Sequence, residues 1–138
     1  MRMLLSLGGL GLGAALAIAA PTSSDEPLRP TAVTGVFSNL RYNENGGDVL
    51  GLEVLLIYTK AGYMAVIQVA EGVPEVPVVV PVEVDGSQIA FSFPAGGARL
   101  QFRGNVGSTT LEGRFDNGAF AASPQGLVVL RRGKSYWQ

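Results

Sequence analysis

Paired carboxylates, for example Glu53 with Glu71, are the formal route to acid–base chemistry in this chain. A glycosidase built that way would add a cleft rich in aromatic and polar side chains, and the sequence holds a single Trp. Neither His nor Cys occurs, which removes an imidazole base, a thiolate and any nitrogen or sulfur metal cluster. No Ser sits in a Gly-x-Ser-x-Gly context, and there is no phosphate-cradling loop or dinucleotide fingerprint. Asp48, beside Glu44 and Asn45, could offer oxygens to calcium, but the segment lacks the spacing of a dedicated site and reads as a solvated turn. The expectation is a protein that is not an enzyme and holds no metal or cofactor.

Binding chemistry is better supplied. A mostly apolar pocket needs a few polar groups to orient its guest, and Ser38, Tyr42, Tyr58 and Gln68 are candidates for that role around a small apolar ligand. A second set suits contact with another exported protein, as an inhibitor or envelope accessory domain would make it. This set comprises Phe37, Leu55 and Ile57 in one apolar patch and Arg131, Arg132 and Trp137 near the C-terminus. Trp137 reads equally as a cap on the end of the fold. A purely scaffolding role is the third reading.

Positioning these residues falls to strands. From Thr34 onward eight strand signals follow one another, approximately 34–43, 49–59, 63–71, 76–84, 87–93, 99–106, 109–115 and 127–132, separated by short Gly, Asp, Asn and Pro clusters. No capped window of helical period competes. Short connections imply antiparallel neighbours, and eight such strands close most readily into an up-and-down meander barrel, an all-β fold. Residues 34–138 form that domain, and 20–33, with Pro21, Pro27 and Pro30, read as a flexible leader. Residues 1–19 carry a short positive start, an apolar run and Ala17-Ile18-Ala19, the pattern of a cleavable signal peptide. The mature protein is therefore expected in the periplasm or secreted, with no membrane span after cleavage. The net charge is −1, one unit more negative once Arg2 leaves, so no positive field recruits nucleic acid. Between Lys60 and Arg99 there is no Lys or Arg, while Glu71, Glu75, Glu83 and Asp85 all fall there.

Registers can be proposed from the turns. A loop at Asp85-Gly86 sets Val80 opposite Phe91, with Val78, Val80, Val82 and Val84 on the aromatic face. A turn at Gly107-Ser108 pairs Phe102 with Gly113 and Arg103 with Glu112. Three residues at 46–48 would place Arg41 opposite Glu53 and Phe37 opposite Ile57, leaving Phe37, Leu55 and Ile57 outside, open to a partner or covered by Tyr136-Trp137. Pro77 and Pro81 share one parity, so both missing N–H groups face the same neighbour, and a loose seam is expected between the third and fourth strands.

Strand count, short hairpins, the Gly35-Val-Phe-Ser-Asn39 opening and the glycine-bearing segments Phe102-Arg-Gly104 and Leu111-Glu-Gly-Arg-Phe115 together resemble the calycin architecture. These are the small meander barrels of the avidin, lipocalin and fatty-acid-binding kinds. The ending Ser135-Tyr-Trp-Gln138 is similar to that of small uncharacterised exported bacterial proteins. Phe37 stands where a lipocalin opening would have Trp, and one Trp cannot furnish an avidin pocket. The resemblance thus implies a barrel and ligand binding, and no family site residue.

Overall fold

The computed structural model describes residues 32–116 and 126–138; the signal segment and nearly all of the leader lie outside them. Among the described residues there are ten strands: β1 (Gly35–Ser38), β2 (Arg41–Asn43), β3 (Asp48–Thr59), β4 (Gly62–Gly72), β5 (Val78–Pro81), β6 (Glu83–Asp85), β7 (Gln88–Ala95), β8 (Ala98–Val106), β9 (Thr110–Phe115) and β10 (Leu127–Gly133). All pairings are antiparallel, in the order β5-β4-β3-β1-β10-β9-β8-β7-β6, with β2 also on β3. The fold is all-β, an up-and-down sheet curled into a nearly closed barrel. No helix among the described residues is long and apolar enough to cross a membrane.

The eight expected strands become ten because two of them break. The first divides at Asn39-Leu40, yet β1 and β2 keep one register on β3, with Phe37 on Val54 and Arg41 on Leu50. Asn39 bridges the gap: its N–H donates to Leu52 O at 3.0 Å and its Oδ1 accepts from Leu52 N at 2.7 Å. The fourth divides at Val82, so that β5 pairs with β4 and β6 pairs with β7.

That division places the seam. Val82 N–H donates to Tyr63 O at 2.9 Å, which turns the alternate nitrogens of Val78 and Val80 toward β4. The nitrogens of Pro77, Val79 and Pro81 therefore face β7. On β7, Ser87 O accepts from Val106 N at 2.8 Å, so the odd-numbered residues bond β8 and the backbones of Ser92 and Pro94 face β5. Three prolines thus bring no N–H to the gap, and β5 lies alongside β7 without pairing. The seam falls between β5 and β7, whereas β4 and β5 pair from Met64/Pro81 to Ile67/Val78. The shared parity of the prolines is as expected; the neighbour they face is the other one.

Both hairpin registers differ from expectation by two residues. The turn is Gly86-Ser87, with Val84 on Ile89, and the second turn is Ser108-Thr109, with Gly104 on Gly113 and Phe102 on Phe115. A shift of two preserves the face, so Val80, Val82, Ile89, Phe91, Phe93, Phe102 and Leu111 all point into the buried cluster. Individual partners change: Arg103 meets Arg114, Glu112 meets Asn105, and Val80 lies on Ala65 of β4 instead of on Phe91. Phe102 still covers Gly113. A Cβ on Gly104 would stand 2.6 Å from the Phe102 ring, and one on Gly113 would collide with both that ring and Arg103 O. Phe102 stacks on Phe91 at 4.9 Å and tilts against Phe115 at 5.2 Å, filling the barrel's middle with rings.

One end of the barrel is sealed by a cation. Arg132 of β10 lies opposite Phe37 of β1, with its guanidinium carbon 4.5 Å from the ring centre. Its Nη1 donates to Thr34 O at 2.7 Å, and its Nη2 donates to Ala32 O at 2.6 Å and Gly107 O at 3.2 Å. Nε is buried without a partner. Gly35, at φ 148°, is required here, because a Cβ would stand 2.7 Å from Nη1. Phe37 is consequently core and fully buried, not part of an outer patch. The first hairpin's register lies three residues from the one expected, and an odd shift exchanges the faces.

Leu111→Ala, at a fully buried position, is expected to lower stability by about 2–5 kcal/mol. Gly113→Ala should cost roughly 1–3 kcal/mol by overpacking against Phe102. Denaturant titration checks both, and a loss below about 0.5 kcal/mol in either would contradict this packing. Arg132→Lys should lose roughly 1–3 kcal/mol, because one ammonium cannot reproduce the fork that serves three carbonyls.

Candidate functional site

The end opposite Arg132 is open. There the β4–β5 connection and the β7–β8 turn stand on either side of the seam and bound a cleft of about 590 Å³. That volume lies in the range of small-molecule sites. Its floor is Ile67, Phe93 and Leu100, buried members of the core cluster, and Val69, Val76 and Val78 form one wall. Ala98 and Ala95 lie across from them. The core beneath is packed with side chains from Val33 at the sealed end to Phe93 and Leu100, so the space is a mouth and not an enclosed interior chamber.

Two carboxylates stand at this mouth. Glu71 follows Ala65, Ile67 and Val69 on the inward parity of β4, opposite Leu50 of β3. Glu75 belongs to a pinned loop: its N–H donates to Val69 O at 2.8 Å, its carbonyl accepts from Gln68 Nε2 at 3.0 Å, and Pro74 bridges to Ala70. Arg99 follows lining residue Ala98 but turns to the outer face, where Nε donates to Ser92 Oγ at 3.0 Å. Among the described residues, the charged groups lining the cleft are therefore both acidic.

A second assembly occupies the outer face. Ser38, Glu53 and Gln68 are side by side in register across β1, β3 and β4, and Arg131 of β10 lies next to Ser38. Glu53 faces away from the interior, as expected, but Arg41 is not its partner. Its Oε1 accepts from Ser135 Oγ at 2.6 Å and its Oε2 from Tyr136 N at 2.8 Å, while Trp137 Nε1 donates to Gln68 Oε1 at 2.7 Å. The C-terminal segment is thus fastened to β3 and β4, with the Tyr136 and Trp137 rings edge to face at 4.8 Å.

The structure accordingly brings together Ser38, Gln68, Arg131 and Trp137, and separates the others. Tyr42 lies beside the β2–β3 turn at the open end. Tyr58 is 68% exposed at the sealed end, edge to face with Tyr63. Arg132 is the seal, and Phe37 is beneath it. Leu55 and Ile57 face outward, paired with Val66 and Met64. Glu53 and Glu71 lie on opposite faces of the sheet, too separated in direction to act on one substrate. Among the described residues no three His, Cys, Asp or Glu side chains gather where a metal could be held. Glu75, Val76 and Ala98 were not singled out by the sequence. The signal available for them was the run from Lys60 to Arg99 that lacks basic residues. Compared with family models, curated proteins and solved structures, the chain finds no match.

Glu53→Ala should release the C-terminal segment and cost roughly 1–3 kcal/mol, the worth of hydrogen bonds to a charged acceptor. Trp137 is the sole tryptophan, so its fluorescence reports release directly. An emission maximum and unfolding midpoint identical to the parent's would contradict the anchoring.

Proposed function

We propose that this is an exported, non-enzymatic, calycin-like barrel that carries a small apolar ligand in the mouth cleft, working in the periplasm or outside the cell. The observation that carries this reading is the cleft itself. Val69, Val76, Val78 and Ala98 present apolar surface above the buried floor of Ile67, Phe93 and Leu100, at one end of a barrel whose other end Arg132 seals. The signal pattern of residues 1–19 supports export. Of the residues first considered for the ligand, Tyr42 is at the same end of the barrel, whereas Ser38 and Gln68 are on the outer face, where Gln68 holds the Trp137 indole.

An outward apolar stripe favours a second reading, in which the surface engages another exported protein. Val36, Leu55, Val66 and Val79 follow one another in register across β1, β3, β4 and β5, and Val79 is 60% exposed.

Native mass spectrometry of protein purified from its own envelope separates the two. The ligand reading expects an added small-molecule mass, lost in Ala98→Trp, whose indole would fill the mouth. A bare mass together with a co-purifying protein would favour the surface reading and overturn the first.

A further inference from the structure

We propose that the mouth cleft selects an amphipathic cation, an alkyl body bearing a single ammonium group. The inference rests on the reading that the cleft holds a small ligand and goes beyond it by assigning the guest's charge. Val76, 86% exposed, provides with Val69, Val78 and Ala98 the apolar surface that an alkyl chain would cover, above a floor of buried Ile67, Phe93 and Leu100. The charged side chains that line the cleft are both acidic. Glu71 stands on the inward parity directly above Val69, and Glu75 is carried by a loop whose backbone is pinned to Val69 and to the Gln68 side chain.

Among the described residues neither carboxylate has a cationic partner. Arg99, next to lining residue Ala98, is turned outward to Ser92, Lys60 lies in the β3–β4 turn at the sealed end, and Arg41 of β2 is two strands from Glu71, across Leu50 in register. Charges bordering a low-dielectric wall focus their field into the cleft instead of losing it to solvent. A fatty acid or sulfate ester would have to place its anion beside two carboxylates, and a neutral alcohol could donate one hydrogen bond to them but brings no charge. An ammonium head on an apolar chain satisfies both parts of the site.

Isothermal titration of the full mature chain with decyltrimethylammonium, decanol and decyl sulfate, each below its micellar concentration, tests this. The cation is expected to bind roughly tenfold or more tightly than the alcohol, the ratio that about 1.4 kcal/mol of attraction gives. The sulfate should bind most weakly. In the double variant Glu71→Gln/Glu75→Gln, the cation's affinity should fall to that of the alcohol while the alcohol's stays unchanged, with an unaltered unfolding midpoint as the control for folding. If the alcohol binds as well as the cation and Ala98→Trp abolishes both, the charge assignment is overturned and the ligand site stands. If none of the three binds, the ligand reading fails with it.

Discussion

A sheet that curls back on itself must hydrogen-bond its last edge, and here three prolines deny it the donors. Pro77 and Pro81 on one side and Pro94 on the other face the gap between β5 and β7 without an N–H among them. Val79 and Ser92 alone bring amide protons, too few for a ladder. The chain continues across the gap at Val82, so the barrel is closed by its backbone although not by its hydrogen bonds. An unpaired edge is ordinarily a template for aggregation, and prolines are one device that blunts it. The same feature that protects the edge holds the two sides of the mouth apart, and the cleft over Ile67, Phe93 and Leu100 follows from it.

The two ends of the barrel are built on opposite principles. At the sealed end Arg132 serves three carbonyls that would otherwise lack donors and lays its plane against Phe37, so N-terminal and C-terminal strands are tied where they meet. A half-buried charge is tolerable there because it is hydrogen-bonded almost throughout. At the open end the core simply stops, and the side chains that line the cleft are apolar or acidic. Open space is thereby confined to one mouth of a barrel whose middle, filled by Phe91, Phe102 and Phe115, has little room of its own.

Glu53 shows how a single outward carboxylate can organise a surface. It lies between Ser38 and Gln68 in register, and the last residues of the chain fold back to bond it. With Trp137 fixed on Gln68, the tail covers part of an outer face that would otherwise present polar groups and aliphatic side chains to water. On the same face an apolar row runs in register from Val36 through Leu55 and Val66 to the exposed Val79.

Local chemistry determined what depends on neighbours in sequence. The alternation of apolar residues in 76–93 and 99–115 specified which side chains enter the core, and that survived register shifts of two because the strand period is two. The shared parity of Pro77 and Pro81 was equally legible, as was the outward face of Glu53. Pairing partners were not, because a turn of four residues in place of three, Glu44 to Gly47, moves a whole strand and buries Phe37. Nor could the sequence say which neighbour the prolines face, that Arg132 would enter the barrel, or that Ser135 and Tyr136 would reach Glu53 across some eighty residues. Each of these is a contact between segments distant in the chain. Such contacts are selected by closure of the sheet, since only closure decides which edges meet and which carbonyls are left to be satisfied.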